Sequence, residues 1–334
     1  MTGRGRSRSA TRTSSSAPWA GLPTESRNPR SERLDTLPTS RVVALLLDED
    51  RRALVAAGVQ QAAIARAAGL VADALEGGGR VVFLGAGTSG RLGVLEAAEC
   101  PPTFGTDPGR IRAVMAGGED AVFRAVEGAE DRADEGREEA EHLRGGDVLV
   151  GISASSVTPF VRGGLERARA RGVPTVLVTC APRPGLRALA NVVVAIRTGP
   201  EVLTGSTRLK AGSATKAALN AITTAAMVRL GKAYGNLMVD LKLTNAKLRD
   251  RGRRIVMAAG QVESDEAARL LADAGGEAKT AIVMARLGVG AEDARKRIAA
   301  AGGHVRAAVA QRAPRARAAR RRRSQASRVR KKPR

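Results

Sequence analysis

The chain has 334 residues, of which 43% are hydrophobic and 2% are aromatic. That length and apolar content can build a substantial core, whereas so few aromatic side chains argue against a protein that stacks single-stranded nucleic acid on aromatic platforms. The net charge of +23 is concentrated at the ends, with thirteen Arg and Lys in residues 305–334, four Arg in residues 1–24 and no acid in either stretch. We expect residues 1–24 and 311–334 to be disordered basic tails, and we expect no specific nucleic-acid partner.

Few residues are suited to holding a metal or forming a disulfide. The two cysteines are Cys100 and Cys180, and the two histidines are His142 and His304. They provide neither a disulfide framework nor the spacing of a structural zinc site, so we predict no metal and no cofactor. No apolar run approaches the roughly 20 residues that span a bilayer, and the N-terminus lacks a hydrophobic signal core. The sequence therefore predicts a cytoplasmic protein without a membrane partner.

The hydrophobic pattern predicts helices first and then alternating strands and helices. Helical patterns cover about residues 39–47 and 50–76, and later 119–144 and 159–171. The β-branched runs are residues 80–84, 111–116, 147–153, 173–180 and 191–197. This alternation predicts an α/β fold with a doubly wound parallel sheet, in which ligands bind at the carboxyl ends of the strands.

A helical region follows the last predicted strand. One long helix is predicted over about 206–232, and its Ala, Thr and Leu residues offer a face for packing. From residue 264 onward the pattern predicts three short helices separated by glycine pairs, typical of a small helical subdomain. We therefore predict a catalytic domain over residues 25–250 and a helical subdomain over residues 251–310.

A glycine-rich turn follows the first predicted strand. Residues 85–90 read GAGTSG, in which Gly87 and Gly90 flank the hydroxyls of Thr88 and Ser89. The same glycine spacing occurs in dinucleotide-binding proteins, but those carry an acid about 20 residues later for the ribose, where this chain has the basic Arg110. Backbone N–H groups at a helix N-terminus, together with two hydroxyls, instead suit a phosphate monoester.

A second loop with similar chemistry follows the third predicted strand. The stretch GISASSVTP places Ser153, Ser155, Ser156 and Thr158 after that strand. Because the carboxyl ends of parallel strands meet at one edge of a sheet, we expect the two loops to hold one sugar phosphate. Ser and Thr are also favoured as ordinary helix N-caps, which is the alternative interpretation.

The two loops resemble those of the sugar isomerase (SIS) phosphosugar-binding domain. Longer stretches resemble, in order and spacing, the N-acetylmuramic acid 6-phosphate etherase family over about residues 24–310. These stretches are TESRNPRSERLDTLPT, LGAGTSGRLGVLEAAECPPTFG, AGGEDAVFRAVEGAEDR, TGSTRLKAGSATKAALNAITT and GKAYGNLMVDLKLTNAKL. The resemblance implies an SIS fold of flavodoxin-like topology, a phosphosugar substrate, and a homodimer whose active sites are completed across the interface.

The resemblance also implies two active-site carboxylates. The Glu of ECPPT maps onto Glu99 and is implied to protonate the departing lactate, while the last Glu of EGAE maps onto Glu130 as the second carboxylate. A base removes the proton on carbon 2 of the open-chain sugar, lactate leaves carbon 3, and water adds back. The products are N-acetylglucosamine 6-phosphate and D-lactate, formed in the recycling of cell-wall amino sugars. Because lactate is a poor leaving group as an alkoxide, a protonated carboxyl suits this step.

A cation is also expected beside these groups. Lys210, in STRLKAGSATK, is predicted to pair with the phosphate or with the carboxylate of the substrate. One loop departs from the family pattern: where the family reads SGRTP this chain reads SSVTP, so Ser156 replaces a glycine and Val157 replaces an arginine. These two differences alter how closely the backbone can approach the phosphate and remove one cation, while Thr158 is retained.

Two other functions stay open at this point. The glucokinase regulatory protein is similar and binds a sugar phosphate without catalysis, but it has two SIS domains and this chain shows one. A phosphosugar isomerase is the other alternative, and such an enzyme is expected to lack the ECPPT stretch. The long family-like stretches therefore favour a lyase that cleaves the lactyl ether.

Overall fold

The structure is a computed structural model that describes residues 21–310. Of the two tails predicted to be disordered, residues 21–24 lie within the described part and are ordered there, since Pro23–Glu25 forms a 3-10 turn and Leu22 and Thr24 are buried. The remaining tail residues lie outside the described part, and their disorder stays a prediction. The helices are α1 (Thr39–Gly58), α2 (Gln61–Glu76), α3 (Gly87–Phe104), α4 (Asp120–Phe123), α5 (Ala133–Glu141), α6 (Pro159–Ala170), α7 (Lys210–Arg229), α8 (Ala246–Gly260), α9 (Ser264–Asp273), α10 (Ala278–Leu287), α11 (Ala291–Ala300) and α12 (Val305–Ala310). The strands are β1 (Val81–Gly85), β2 (Ile111–Met115), β3 (Val148–Ile152), β4 (Thr175–Thr179), β5 (Val192–Ala195), β6 (Ala233–Tyr234) and β7 (Leu237–Met238).

Five strands form a parallel sheet in the order β2-β1-β3-β4-β5. All five coincide with the β-branched runs of the sequence, which confirms the predicted α/β fold, and the strand order is that of the flavodoxin-like topology. Strands β1, β3 and β4 are buried along their whole length, as expected of strands covered on both faces. In the pairing of β3 with β4, Leu149 lies opposite Thr175.

An aliphatic core holds the sheet against helix α6. Leu84 of β1, Leu149 of β3 and Leu177 of β4 belong to one buried cluster with Phe160 and Leu165 of α6. Burying each such side chain contributes about 1.5–3 kcal/mol to stability. The cluster therefore fixes the carboxyl ends of β1 and β3, from which the two Ser/Thr-rich loops begin.

The prediction of a continuous helix over residues 119–144 is wrong. The region instead forms the single turn α4, a 3-10 turn at Ala129–Asp131 and then α5. Arg124 is extended, with φ of −131° and ψ of 154°, and Gly128 has a left-handed φ of 71°, so neither residue continues a helix. The interruption leaves Glu130 on a short turn between two helices.

The first two helices also differ from their predicted bounds. Helix α1 continues past residue 47 to Gly58, and α2 begins only at Gln61. Glycine has a low helix propensity, and the Gln60 side chain between the helices accepts a hydrogen bond from the backbone N–H of Ala195 at 3.3 Å. A tertiary contact that the sequence does not reveal therefore accompanies the break.

The described chain divides into two compact units. The first unit comprises the residues up to Ala67, Val82–Val94 and Ala113–Leu219, and the second comprises Ala68–Val81, Leu95–Arg112 and the residues from Asn220 onward. The boundary predicted between residues 250 and 251 lies within helix α8.

The second unit contains the predicted C-terminal helical part. From residue 264 it holds four short helices, α9 to α12, so the predicted number of three is wrong. The additional helix, α12, starts after Gly302 and Gly303, which both have positive φ and end the preceding helix. Val256, Ile282 and Val283 lie in the buried cluster of this unit.

Within the described residues, none of the helices taken singly has the length and apolar character needed to cross a membrane. The pair α1 and α2 meets those criteria only when taken together, and it is bent by 66° at the break.

Candidate active site

A cavity of about 420 Å³ lies in the first unit where β1 and β3 end. These strands are neighbours at the point where the strand order changes direction, which is where ligands bind in open α/β sheets. Residues 86–89, after β1, and residues 154, 155, 157 and 158, after β3, line it. The predicted meeting of the two loops is therefore what the structure shows.

The glycine turn brings backbone and hydroxyl groups to this cavity. Gly87 has a left-handed φ of 53°, and a Cβ at Gly85 would lie 2.7 Å from the backbone nitrogen of Gly90. A side chain at Gly85 would open the turn, since real Cβ atoms do not approach that closely, and one at Gly87 would be strained by the left-handed φ. Thr88 and Ser89 line the cavity in the first turn of α3, where free N–H groups attract anions.

The second loop contributes hydroxyls that support one another. Ser155 and Thr158 line the cavity. Ser153 is buried behind them, and its Oγ lies 2.9 Å from Oγ1 of Thr158. The Oγ of Ser155 accepts a hydrogen bond from the N–H of Val157 at 3.3 Å. Thr158 immediately precedes Pro159, which starts helix α6.

Ser156 and Val157, where the resemblance implies a glycine and an arginine, are both buried, and the backbone of Ser156 is strained. Ser156 has a φ of 64°, one of two left-handed φ values among the described residues other than glycine. Its Oγ donates a hydrogen bond to the carbonyl of Ala181 at 2.9 Å. Val157 is buried with Leu22 and Ala181 in a small apolar cluster and also lines the cavity.

Three carboxylates line the same cavity. Glu130 and Asp131 extend from the 3-10 turn that follows Gly128, and Glu25 comes from the N-terminal segment. No Lys, Arg or His is among the cavity-lining residues of the described chain. The hydroxyls and backbone N–H groups of this unit are therefore its donors toward a bound anion.

Glu99 lies elsewhere in the chain. It is exposed on helix α3, twelve residues after Gly87, in the segment assigned to the second unit. It is not among the residues that line the cavity of the first unit. Cys100 beside it is buried, and burial, together with the negative charges of Glu96 and Glu99, raises the pKa of its thiol to about 12. That thiol is therefore an inert packing group.

Lys210 is buried against Glu49 rather than facing the cavity. Its Nζ donates a hydrogen bond to Oε2 of Glu49, and Asn28 and Arg30 donate to the same carboxylate. Glu201 accepts hydrogen bonds from the backbone N–H groups of Lys210 and Ala211 at 3.3 and 3.0 Å. Burial raises the pKa of Glu201. The structure thus gives Lys210 a role in holding the start of α7.

The N-terminal segment forms part of the cavity wall, which the loops alone did not indicate. The N–H of Gly205 donates to the carbonyl of Thr24 at 3.2 Å, and the hydroxyl of Ser31 donates to the carbonyl of Val202 at 2.7 Å. These bonds hold the segment against residues 202–205 and place Glu25 at the cavity. In the sequence, the family-like stretch that begins TESRNP is the feature that could have indicated this part of the cavity wall.

The described residues contain no group of three or more His, Cys, Asp or Glu side chains arranged to hold a metal ion. Both cysteines lie within the described part, and both are free thiols.

Comparison with known families and curated proteins gives consistent similarities. Residues 63–169 match the family model of the glucokinase regulatory protein N-terminal SIS domain. The chain is 53% identical over 262 residues to an N-acetylmuramic acid 6-phosphate etherase of Cutibacterium acnes, covering 78% of this chain and 86% of that one. It is 49% identical over 270 residues to the protein of the same name from Parasynechococcus marenigrum, covering 80% and 85%. The corresponding protein of Mycolicibacterium smegmatis is 47% identical over 266 residues, covering 79% and 89%.

Similar solved structures are more distant. A phosphoheptose isomerase from Neisseria gonorrhoeae has 20% sequence identity and a TM-score of 0.40, covering 56% of this chain and 95% of that one. The sugar isomerase domain of an RpiR transcription factor from Sphaerobacter thermophilus has 18% identity and a TM-score of 0.42, covering 57% and 91%.

Proposed function

The chain belongs to the N-acetylmuramic acid 6-phosphate etherase family, and from that premise we propose that the cavity at β1 and β3 binds the phosphosugar and cleaves its lactyl ether. The protein is a carbon–oxygen lyase that forms N-acetylglucosamine 6-phosphate and D-lactate, a reaction of cell-wall amino-sugar recycling. The observation that carries the proposal is the meeting of the hydroxyls of both loops with Glu130 in one cavity.

The phosphate is proposed to bind where the two loops meet. Thr88, Ser89, Ser155 and Thr158 supply hydroxyls, and the first turn of α3 supplies backbone N–H groups. A phosphate dianion accepts several hydrogen bonds at once, and bonds to a charged acceptor contribute about 1.5–3 kcal/mol each. Ser153 is proposed to orient the hydroxyl of Thr158 from behind. Gly87 and Gly90 allow the close backbone approach.

Glu130 is proposed as the base that removes the proton on carbon 2. Loss of that proton from the open-chain aldehyde gives an enolate, whose electron pair expels lactate from carbon 3. Glu99 is proposed as the acid that gives a proton to the departing ether oxygen, since an alkoxide is a poor leaving group. Water then adds to carbon 3 of the unsaturated aldehyde, and a proton returns to carbon 2.

We propose a homodimer in which a second copy completes this site. The lining of the described cavity contains three carboxylates and no cation, although the proposed ligand is an anion. Glu99 is exposed in its own chain, so it is accessible to the surface of a second copy. Helix α1 also carries the exposed apolar side chains Val43, Leu47, Leu54 and Val55, and the exposed Val59 follows directly after its end. Much of the face predicted on α7 is already buried within the chain, including Leu219, Ile222 and Met227.

The reaction is proposed to take place in the cytoplasm, without a metal or other cofactor. Proton transfers by carboxylates suffice for elimination and for the addition of water, because the aldehyde of the substrate stabilises the intermediate. Regulatory binding without catalysis and phosphosugar isomerisation are not favoured, because the similar curated proteins are named etherases.

Isotope labelling tests the proposed reaction. The full-length protein is incubated with N-acetylmuramic acid 6-phosphate in water labelled with oxygen-18, and in a parallel reaction in deuterium oxide. Elimination followed by addition places the oxygen-18 on carbon 3 of the sugar and deuterium on carbon 2, with unlabelled lactate. Oxygen-18 in the lactate, or no release of lactate, would contradict the proposal.

The role of Glu99 is tested by Glu99→Gln. The amide has the shape of the carboxyl but cannot supply a carboxylic acid proton, so lactate release should be lost while binding of N-acetylglucosamine 6-phosphate is retained. Near-normal turnover by this variant would refute the assignment.

A further inference from the structure

Residues 117–131, the segment that carries Glu130, make few contacts of their own that could fix their conformation. The segment contains the helical turn α4 and the 3-10 turn Ala129–Asp131, and both are too short to be stable by themselves. Residues 123–128 are exposed, and Ala121 and Ala129 are the buried anchors on either side of them. Gly117 and Gly118 at its start have φ values of 85° and 72°. Something outside the segment must therefore fix its conformation.

The guanidinium of Arg91 provides that support. Its Nε donates to the carbonyl of Val122 and one terminal nitrogen donates to the carbonyl of Ala121, both at 2.8 Å. The same terminal nitrogen lies 3.4 Å from the carbonyl of Arg124. These carbonyls form the end of α4, where backbone acceptors lack partners within the helix and attract a cation.

Arg91 directly follows the glycine turn that is proposed to bind phosphate. It follows Gly87 by four residues in α3, so it lies one helical turn from the N-terminus that lines the main cavity. Arg91, Gly87 and Glu130 all line a second, smaller cavity of about 160 Å³. The start of helix α3 thus bears the donors for the phosphate in its first turn and, in the next turn, the arginine that anchors the carboxylate segment.

We propose that Arg91 is a positioning residue that sets Glu130 relative to the phosphate-binding turn. The inference rests on the proposed function, because it assigns Arg91 an effect on the reaction through Glu130. The planar fork of Arg donates from Nε and a terminal nitrogen in a fixed geometry, which the single ammonium of Lys does not reproduce. Arg91→Lys therefore keeps the charge and loses the geometry.

The first test measures hydrogen–deuterium exchange, which needs no activity. In Arg91→Lys and Arg91→Gln, amide exchange in peptides covering residues 117–131 should be at least tenfold faster than in the wild type, while peptides of β3 and β4 are unchanged. Arg169→Gln, at an exposed position of α6, is the matched control and should change neither. Unchanged exchange in residues 117–131, or an equal increase in the sheet, would overturn the proposal.

The second test separates positioning from general stability by kinetics. In Arg91→Lys, kcat for lactate release should fall at least about tenfold, because small misplacements of a reacting group are costly, while KM stays within about threefold because the phosphate donors are intact. In the double variant Arg91→Lys, Glu130→Gln, kcat should be close to that of Glu130→Gln alone. A multiplicative loss in the double variant would overturn the role of Arg91 through Glu130. Absence of lactate release by the wild type would instead refute the proposed function and leave the exchange test standing.

Discussion

The hydroxyl of Ser156 donates a hydrogen bond to the carbonyl of Ala181 at 2.9 Å, from a backbone with φ of 64°. A left-handed conformation costs a residue with a side chain about 1–2 kcal/mol, and a typical hydrogen bond offsets about 1 kcal/mol of that cost. The left-handed backbone of Ser156 is therefore accommodated by a contact specific to its hydroxyl.

Substitution of Ser156 separates these two effects. Ser156→Ala removes the hydrogen bond and keeps the strain, so the free energy of unfolding should fall by about 1–3 kcal/mol. Ser156→Gly also removes the hydroxyl but relieves the strain, so it should be more stable than the alanine variant by about 1 kcal/mol. Urea unfolding measures both values. An alanine variant as stable as the glycine variant would show that φ at this position is not strained.

The buried pair of Lys210 and Glu49 should make stability depend on pH. Burial alone would raise the pKa of Glu49, but hydrogen bonds from Lys210 and Arg30 outweigh it and hold that pKa below its ordinary value of 4.5. A lowered pKa stabilises the fold at pH values above 4.5, and this stabilisation is lost as the pH falls through the folded-state pKa. Glu49→Gln should therefore cost about 3 kcal/mol at pH 7, and the difference from wild type should shrink below pH 4.5.

An exposed ion pair provides the control for this measurement. Asp73 pairs with Arg229, and more than half of each side chain is exposed. Asp73→Asn should change the free energy of unfolding by less than about 1 kcal/mol at pH 7. A Glu49→Gln variant whose deficit stays constant from pH 7 to pH 3 would contradict the role assigned to the buried pair.

The hydroxyls of the two loops should affect substrate binding. Thr158→Val retains the shape of the side chain and removes the hydroxyl, so KM for the phosphosugar should rise about tenfold or more, as expected from one lost hydrogen bond to a charged group. Exposed Thr36 offers the same change as a control, and Thr36→Val should leave KM unchanged. Steady-state kinetics of lactate release gives both values, and an unaltered KM in Thr158→Val would remove this hydroxyl from the phosphate site.

Mixing two inactive variants tests whether the site is shared between chains. If Glu99 of one copy acts with Glu130 of the other, equal amounts of Glu99→Gln and Glu130→Gln should recover about a quarter of wild-type activity once the subunits exchange, because half of the dimers carry one intact site. Sedimentation of the wild type should show a dimer. Persistent inactivity after demonstrated subunit exchange, or a fully active monomer, would contradict the shared site.

The sequence pattern predicted the sheet because its strands are buried on both faces and read as short continuous apolar runs. It also predicted that the loops at Thr88 and Ser155 would meet, because that follows from parallel strand order. The partner of Lys210 was not predictable, since Glu49 lies 161 residues away in the chain. The break before Glu130 is not evident from the sequence, because one glycine, Gly128, in a stretch of helix-compatible residues disfavours a helix without excluding it. Local sequence patterns indicate periodicity and turn residues. The pairing of Lys210 with Glu49 and the break before Glu130 depend on tertiary contacts, which such patterns do not show.

Glu130 is the residue on which the proposed reaction depends most directly. The decisive measurement compares lactate release by wild type and Glu130→Gln in single-turnover conditions, with calorimetric binding of N-acetylglucosamine 6-phosphate to each. We predict that Glu130→Gln loses lactate release by at least about a hundredfold, since general base catalysis contributes factors of that order, while its Kd for the sugar phosphate stays within about threefold because the loop hydroxyls are untouched. Lactate release near the wild-type rate in a variant that still binds the sugar phosphate would contradict the assignment of this cavity as the active site.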